Sequence, residues 1–211
     1  DIQEEKEKEE EQYRKNTTDG ITGLYVFGAG MEHLQECRRR QHNAVGCEGS
    51  DGIMINLFLS RLKESNEKNG IVFGDMILEE IGCLIRSSCT DYTEKTKRQT
   101  VALRLDGDDF VLWLEGCSRA QAADFMEVLF GKIEAGFDRA LFCVEVYAGL
   151  ACGTQEQTAG RLICMARLAR NHVKPGSVRP YLFYEDIPEG ERGELPALQG
   201  RQINSLDYGD E

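Results

Sequence analysis

Three carboxylates crowd one short stretch of the chain. Asp106, Asp108 and Asp109 surround Gly107 in the run VALRLDGDDFVLWL, residues 101–114. Side chains so close repel one another and, unless solvated, call for cations. The flanking runs 101–105 and 110–114 are rich in β-formers, and Asp-Gly between alternating hydrophobics is a strong hairpin signal, because glycine takes a positive φ without a Cβ clash. The plain alternative is a solvated hairpin tip. Other metal chemistry is poorly supplied: the three histidines (33, 42 and 172) are scattered and read as surface or cap residues. The eight cysteines form no C-x-x-C pair. They read as buried or incidental thiols of a reducing cytosol and argue against a zinc site.

The elements that must position the acidic turn follow from periodicity. Residues 1–17 are charged helix formers without an apolar seam, hence a solvated helical linker. A helix runs on to about residue 41 with Met31, Leu34 and Cys37 inward, and 47–51 is a polar loop. The apolar run 52–60, GIMINLFLS, reads as a central strand. The spacing predicts a helix over 73–89 with Phe73, Met76, Ile77, Ile81, Leu84 and Ile85 on one face. It leaves 91–100 as a polar loop into the hairpin. Ser118 and Gln121 form a capping box for a helix over 119–135, whose Ala122, Phe125, Met126, Leu129 and Ile133 face inward. A strand over 141–151, a helix over 160–173 and a short strand over 179–184 follow, the last an edge strand because it holds Pro180. Residues 187–211 have little to bury and read as a mobile tail. The order implies an α+β fold, with helices packed on a mainly antiparallel sheet.

Length and charge narrow the function. At 211 residues the chain reads as one domain with appendages, able to bury about 70% of its unfolded surface. The net charge of −12 disfavours nonspecific binding to nucleic acid or to an anionic membrane. There is no apolar span long enough to cross a membrane and no secretory leader, so the expected location is cytoplasmic. The start at Asp1 rather than Met reads as a piece of a longer protein.

Residues 104–110, Arg-Leu-Asp-Gly-Asp-Asp-Phe, resemble the R-x-G-G-D/E-E-F signature of GGDEF domains, the diguanylate cyclases. Arg104, Gly107, Asp108 and Phe110 fit, Asp109 stands for Glu, and Asp106 replaces the first glycine. Upstream, Asp19-Gly20-Ile21-Thr22-Gly23-Leu24 resembles the D-x-L-T-G-L that opens these domains, followed by Val26-Phe27 where Asn-Arg is usual. Between them, Lys63, Asn66, Gly70, Gly74 and Asp75 match the family's D-x-D-x-F-K-x-I-N-D-x-Y-G-H-x-x-G-D pattern, with Phe58 and Ser60 at its two aspartates. The strand 141–151 resembles the family's V-x-x-S-x-G-I-A segment, with Ala148 for Ser. The resemblance spans residues 18–186 and implies the ferredoxin-like nucleotidyl-cyclase fold. It further implies an N-terminal sensor domain in the same protein and catalytic half-sites that meet across a homodimer.

Such enzymes join two GTP molecules, each 3′-hydroxyl attacking the other's α-phosphate, with divalent cations neutralising the triphosphates. The resemblance assigns Asp108 and Asp109 to the catalytic signature, with Asp108 as metal ligand. Lys63, Asn66, Asp75 and Gly107 fall at nucleotide-binding positions, Asn66 and Asp75 reading the guanine edge; Mg2+ and GTP are the implied cofactors. The bland readings are a loop-turn Asn66 and a helix N-terminal Asp75. The departures cluster on phosphate and metal. Phe58 cannot ligate a metal, Ser60 offers only a neutral hydroxyl, and Asp106 adds a side chain and a charge where backbone should approach a phosphate. The K-x-x-G-R-N segment reads Val173-Lys174-Pro175-Gly176-Ser177-Val178, and Lys97-Arg98-Gln99-Thr100 lacks the product-binding R-x-x-D. Two readings follow. One is a degenerate, non-catalytic signalling module acting by dimerisation, partner contact or weak guanine-nucleotide binding. The other is a working cyclase whose metal site is rebuilt around Asp106 and Asp108.

Overall fold

The apolar run GIMINLFLS forms the strand on which both layers of the protein pack. A computed structural model describes residues 16–42, 51–136 and 144–193, with Tyr13 and Leu195. In chain order the elements are β1 (Tyr25–Val26), α1 (Phe27–His42), β2 (Gly52–Ser60), α2 (Leu62–Asn69), α3 (Ile71–Thr96), β3 (Thr100–Asp106), β4 (Asp109–Glu115), α4 (Arg119–Gly136), β5 (Glu145–Gly153), α5 (Ala159–Asn171) and β6 (Tyr181–Phe183). The sheet order is β1-β3-β4-β2-β5-β6. Pairings β3–β4, β4–β2 and β2–β5 are antiparallel, and only the outer pairs β1–β3 and β5–β6 are parallel. The expected α+β class, the hairpin and its place beside β2 all hold.

The period of two along a strand sorts the core into halves. Ile53, Ile55, Leu57 and Leu59 of β2 point with Phe110, Leu112 and Leu114 of β4 toward α3 and α4. Met54 and Trp113 point the other way, toward α1 and α5. The same alternation carries Asn56, Phe58 and Asp109 onto the α5 face. The capping box forms as expected: Ser118 N–H donates to Gln121 Oε1 at 3.0 Å, and Gln121 N–H to Ser118 Oγ at 3.3 Å. The inward residues named for α1 and α4 are all buried.

Several expected boundaries move. The third helix runs from Ile71 to Thr96, so most of the expected loop 91–100 is helical. The polar letters conceal a continuing stripe: Ile85, Cys89 and Tyr92 are buried, and the helix ends only where Lys97 turns left-handed at φ 59°. Met76, expected inward, is exposed. The strand after α4 is described from Glu145; residues 141–143 lie outside the described residues, as does most of the linker 1–17. The expected tail is anchored at its start, since Ile187 is buried, Leu195 packs against the second core, and the Arg192 guanidinium donates to the Ile187 carbonyl. Tail residues 196–211 lie outside the described residues. None of the six described cysteines forms a disulfide, and burial pushes the thiols of Cys37 and Cys89 up to about 12, as befits packing groups.

Candidate functional site

The acidic turn forms as a tight β3–β4 connection, with Gly107 at φ 26° and a register shift between Arg104 and Asp106. Its arginine is structural. The Arg104 guanidinium donates to the Gly107 carbonyl from Nε at 2.9 Å and from Nη2 at 2.6 Å, and pairs with Asp19 at 3.0 Å. Asp19 in turn accepts from the Thr22 amide and hydroxyl, each at 2.8 Å. Burial pushes the Asp19 carboxyl up, but these donors and Arg104 outweigh it and hold it below the usual carboxylate range. The two stretches that carried the resemblance, 19–24 and 104–110, are thus tied together.

The two signature acids diverge. Asp108, expected at an exposed tip, is half-buried: its carbonyl accepts from the Leu59 amide at 2.9 Å, closing the hairpin onto the end of β2. Burial raises its carboxyl above the ordinary value, helped by the charges of Asp109 and Asp106. Asp109 opens β4 directly opposite Phe58 and is buried on the α5 face. There it meets Arg167 at 2.6 Å on Oδ2 and Arg170 at 3.2 Å on Oδ1, and Oδ1 also accepts from Asn56 Nδ2. Asn56 Nδ2 donates further to the Phe110 carbonyl at 3.1 Å, and Asn56 Oδ1 accepts from Arg170 Nη1 at 2.9 Å. Arg170 also lies over the Phe58 ring, 4.6 Å from its centroid.

Sequence reasoning missed Asn56, Arg167 and Arg170. The signal was there: Ile163, Ala166, Arg167 and Arg170 share one helical stripe, with spacing of three and four, and the stripe turns from apolar to guanidinium as it nears the sheet. An arginine on a buried stripe needs a carboxylate, and Asp109 is the one that alternation places opposite. The helix can approach because Gly149 of β5 lacks a Cβ; one there would run into the Ala166 carbonyl and the Arg170 amide.

Asp109 is not free to hold a divalent ion. The strand-end residue facing Asp109 is a phenyl ring, and both Asp109 oxygens are already engaged by guanidinium groups. Among the described residues no three His, Cys, Asp or Glu side chains converge as a ligand set.

At the other candidate region Asn66 and Asp75 lie on successive helices. Asn66 is inside α2, not in a loop, and its carbonyl accepts from the Gly70 amide at 2.8 Å. Its side-chain Oδ1 is buried without a hydrogen-bond partner, in space left by the missing side chain of Gly74. Asp75 lies beyond the first turn of α3, so it is not the helix-capping acid of the bland reading. Lys63 is exposed and turned toward Glu67 at 4.0 Å. Gly107 serves the turn.

A six-stranded sheet with helices on both faces and a signature hairpin beside its central strand defines a nucleotidyl-cyclase-type α+β domain. The family described as "Diguanylate cyclase, GGDEF domain" matches residues 16–176, and the chain belongs to it. Over 130 residues the chain is 28% identical to the bifunctional diguanylate cyclase/cyclic di-GMP phosphodiesterase MucR of Pseudomonas aeruginosa, covering 60% of this chain and 18% of that protein. Over 98 residues it is 33% identical to the diguanylate cyclase DgcS of Shewanella oneidensis, covering 46% and 29%. The chain therefore spans less than a third of either relative. Among solved structures, the coiled coil and GGDEF domain of DgcB from Caulobacter crescentus, in complex with c-di-GMP, superposes with a TM-score of 0.71 at 18% identity, covering 86% of this chain and 93% of that one. The S helix-GGDEF-EAL portion of Vibrio cholerae LapD, bound to c-di-GMP, gives 0.67 at 14% identity, covering 96% and 42%. No described helix is long and apolar enough to cross a membrane.

Proposed function

We propose that this domain is a degenerate, non-catalytic GGDEF module that signals through partner contact, dimerisation or guanine-nucleotide binding in a larger cytoplasmic protein. The observation that carries the reading is the pairing of Phe58 with Asp109 at the end of β2. Phosphoryl transfer between nucleotides is carried by positioning and by metal ions. A ring in place of a strand-end carboxylate removes an anionic ligand from the place where the charge must be held. The phosphate side is weakened as well, since Val173 and Ser177 stand where the family carries Lys and Arg. Asn66 and Asp75 keep the chemistry to read guanine, because an amide and a carboxylate together complement its O6, N1 and N2 edge.

Product control at residues 97–100 is absent on the same reading. Arg98 is committed to the Gly116 carbonyl and Gln99 N–H to Glu115 Oε2 at 2.8 Å, so this segment braces the β4–α4 turn. The diguanylate cyclase activity of the relatives favours the enzyme reading, with Asp106 and Asp108 as the rebuilt metal pair. Incubation of the purified domain with GTP and Mg2+ or Mn2+, followed by chromatography, separates the two. No cyclic di-GMP is expected. Product that vanishes in Asp108→Ala means the module is an enzyme.

A further inference from the structure

We propose that Arg170, seconded by Arg167, is a built-in cation standing in for the divalent metal at the hairpin, so that the site holds its shape without metal and excludes it. The proposal rests on the non-catalytic reading above but concerns what fills the site rather than whether it turns over. Arg170 touches the two elements from which metal ligands converge in this fold: β4 through Asp109, and β2 through Asn56 and the Phe58 ring. Its Nε and Nη2 also donate to Asn171 Oδ1, at 3.3 and 3.0 Å, which fixes the guanidinium plane from behind. Arg167 covers the second Asp109 oxygen.

The replacement is coherent as a set. A guanidinium is planar, delocalised and weakly hydrated, so an aromatic face is a favourable neighbour for it. The same ring offers nothing to Mg2+, which sheds its waters reluctantly and demands oxygen ligands. Phe58 is therefore the residue that suits Arg170 as well as the residue that fails the metal. Asn56 matches both groups, donating to the carboxylate and accepting from the guanidinium. The guanidiniums occupy both Asp109 oxygens, so a dication must displace them before that carboxylate can join Asp108 as a ligand. Arg170 also lies in the last turn of α5, where a cation suits the negative end of the helix.

The experiment is calorimetric titration of the full chain with MnCl2, beside thermal melts in EDTA and in MgCl2. The unmodified protein should bind no Mn2+ saturably at millimolar concentration and should melt at the same temperature in both buffers, since a ligand of the native state would raise it. Phe58→Asp alone should bind Mn2+ only weakly, through the new carboxylate and Asp108, because the arginines still hold Asp109. Phe58→Asp with Arg170→Gln should bind Mn2+ about 10-fold or more tighter than Phe58→Asp. If the double variant fails to fold, Phe58→Asp with Arg167→Gln reads the same competition from the other oxygen. Saturable Mn2+ binding by the unmodified protein that Asp109→Asn abolishes overturns the proposal, as does Phe58→Asp binding Mn2+ as tightly as the double variant. Binding of Mn2+ without cyclic di-GMP formation sinks this inference and spares the non-catalytic reading. Product formed in EDTA does the reverse.

Discussion

The hairpin end and the guanine end of this domain differ in how their polar groups are satisfied. At the hairpin Asp109 is buried and covered on both oxygens by Arg167, Arg170 and Asn56. Around Asn66 and Asp75 the amide oxygen is buried and unpartnered. A buried unpaired acceptor costs about 1–3 kcal/mol and persists where something else supplies the donor. The first region pairs its carboxylate on both oxygens and leaves one buried donor, Arg167 Nε, unpartnered, while the second keeps an unmet acceptor. On the proposed reading these are two ends of one nucleotide site that have taken separate courses: Arg170 replaces the metal's charge at one, and Asn66 and Asp75 keep base-reading chemistry at the other.

The sharpest way to break this contrast is Arg170→Ala. Leaving a buried charge unpaired costs about 3–5 kcal/mol, and because Arg167 and Asn56 still cover Asp109 the loss here should be about 2–3 kcal/mol. Chemical denaturation of this variant at neutral pH should show a loss of that order, and Arg170→Lys should recover part of it. Asn66→Ala should by contrast leave stability unchanged or raise it by up to about 1–3 kcal/mol, since it removes a buried acceptor that lacks a donor. Equal losses from the two substitutions would erase the distinction between a closed and an open end.

Gly149→Ala tests the closed end through its backbone. The added methyl would strike the Ala166 carbonyl and the Arg170 amide, neither of which can rotate away. Overpacking of this kind costs about 1–3 kcal/mol, and α5 must shift to relieve it. The arginines then move off Asp109, so the same denaturation experiment should find Gly149→Ala and Arg170→Ala less than additive. Full additivity would show that α5 does not set the guanidinium positions.

Much of the fold was legible and the reason is periodicity. The capping box at Ser118, the inward residues of α4 and the central strand 52–60 all depend on local patterns that the chain states openly. The 71–96 helix was cut short because polarity was read as loop, although Ile85, Cys89 and Tyr92 continue its stripe. The site was legible only where it matched a motif: Phe58 and Asp106 stood out as departures. Their compensation did not, because Asn56 lies in an apolar strand and the arginines are 58 and 114 residues from their partners Asp109 and Asn56. The β2–β4 pairing and the packing of α5 on that face bring them together.

A smaller effect sharpens the open end. In Gly74→Ala the new methyl would fall on the Asn66 carboxamide, a side chain that can rotate aside. Stability should fall by about 1 kcal/mol or less, since a surface-proximal side chain absorbs the clash. Guanine-nucleotide binding, measured by calorimetry with GTP, should be lost together with it if Asn66 reads the base. Unchanged binding would remove Asn66 from the recognition pair.

The smallest effect concerns the acid that the arginine pair leaves aside. Burial, then the charges of Asp109 and Asp106, raise the Asp108 carboxyl in the folded protein. A carboxylate whose folded pKa lies above its unfolded one opposes folding when ionised. The penalty is full above the folded pKa, shrinks as pH falls through it, and vanishes below the unfolded value near 3.9. Asp108→Asn should therefore stabilise the protein at pH 7 by up to about 1 kcal/mol, discounted because the side chain keeps some solvent contact. The gain should fade toward acid, in contrast to Asp19→Asn, which loses stability at neutral pH because the folded Asp19 pKa is depressed. Denaturation of both variants from pH 7 down to pH 4 gives the comparison. If Asp108→Asn destabilises at neutral pH, its carboxylate is held by a cation after all, and the division of labour between the two signature acids fails.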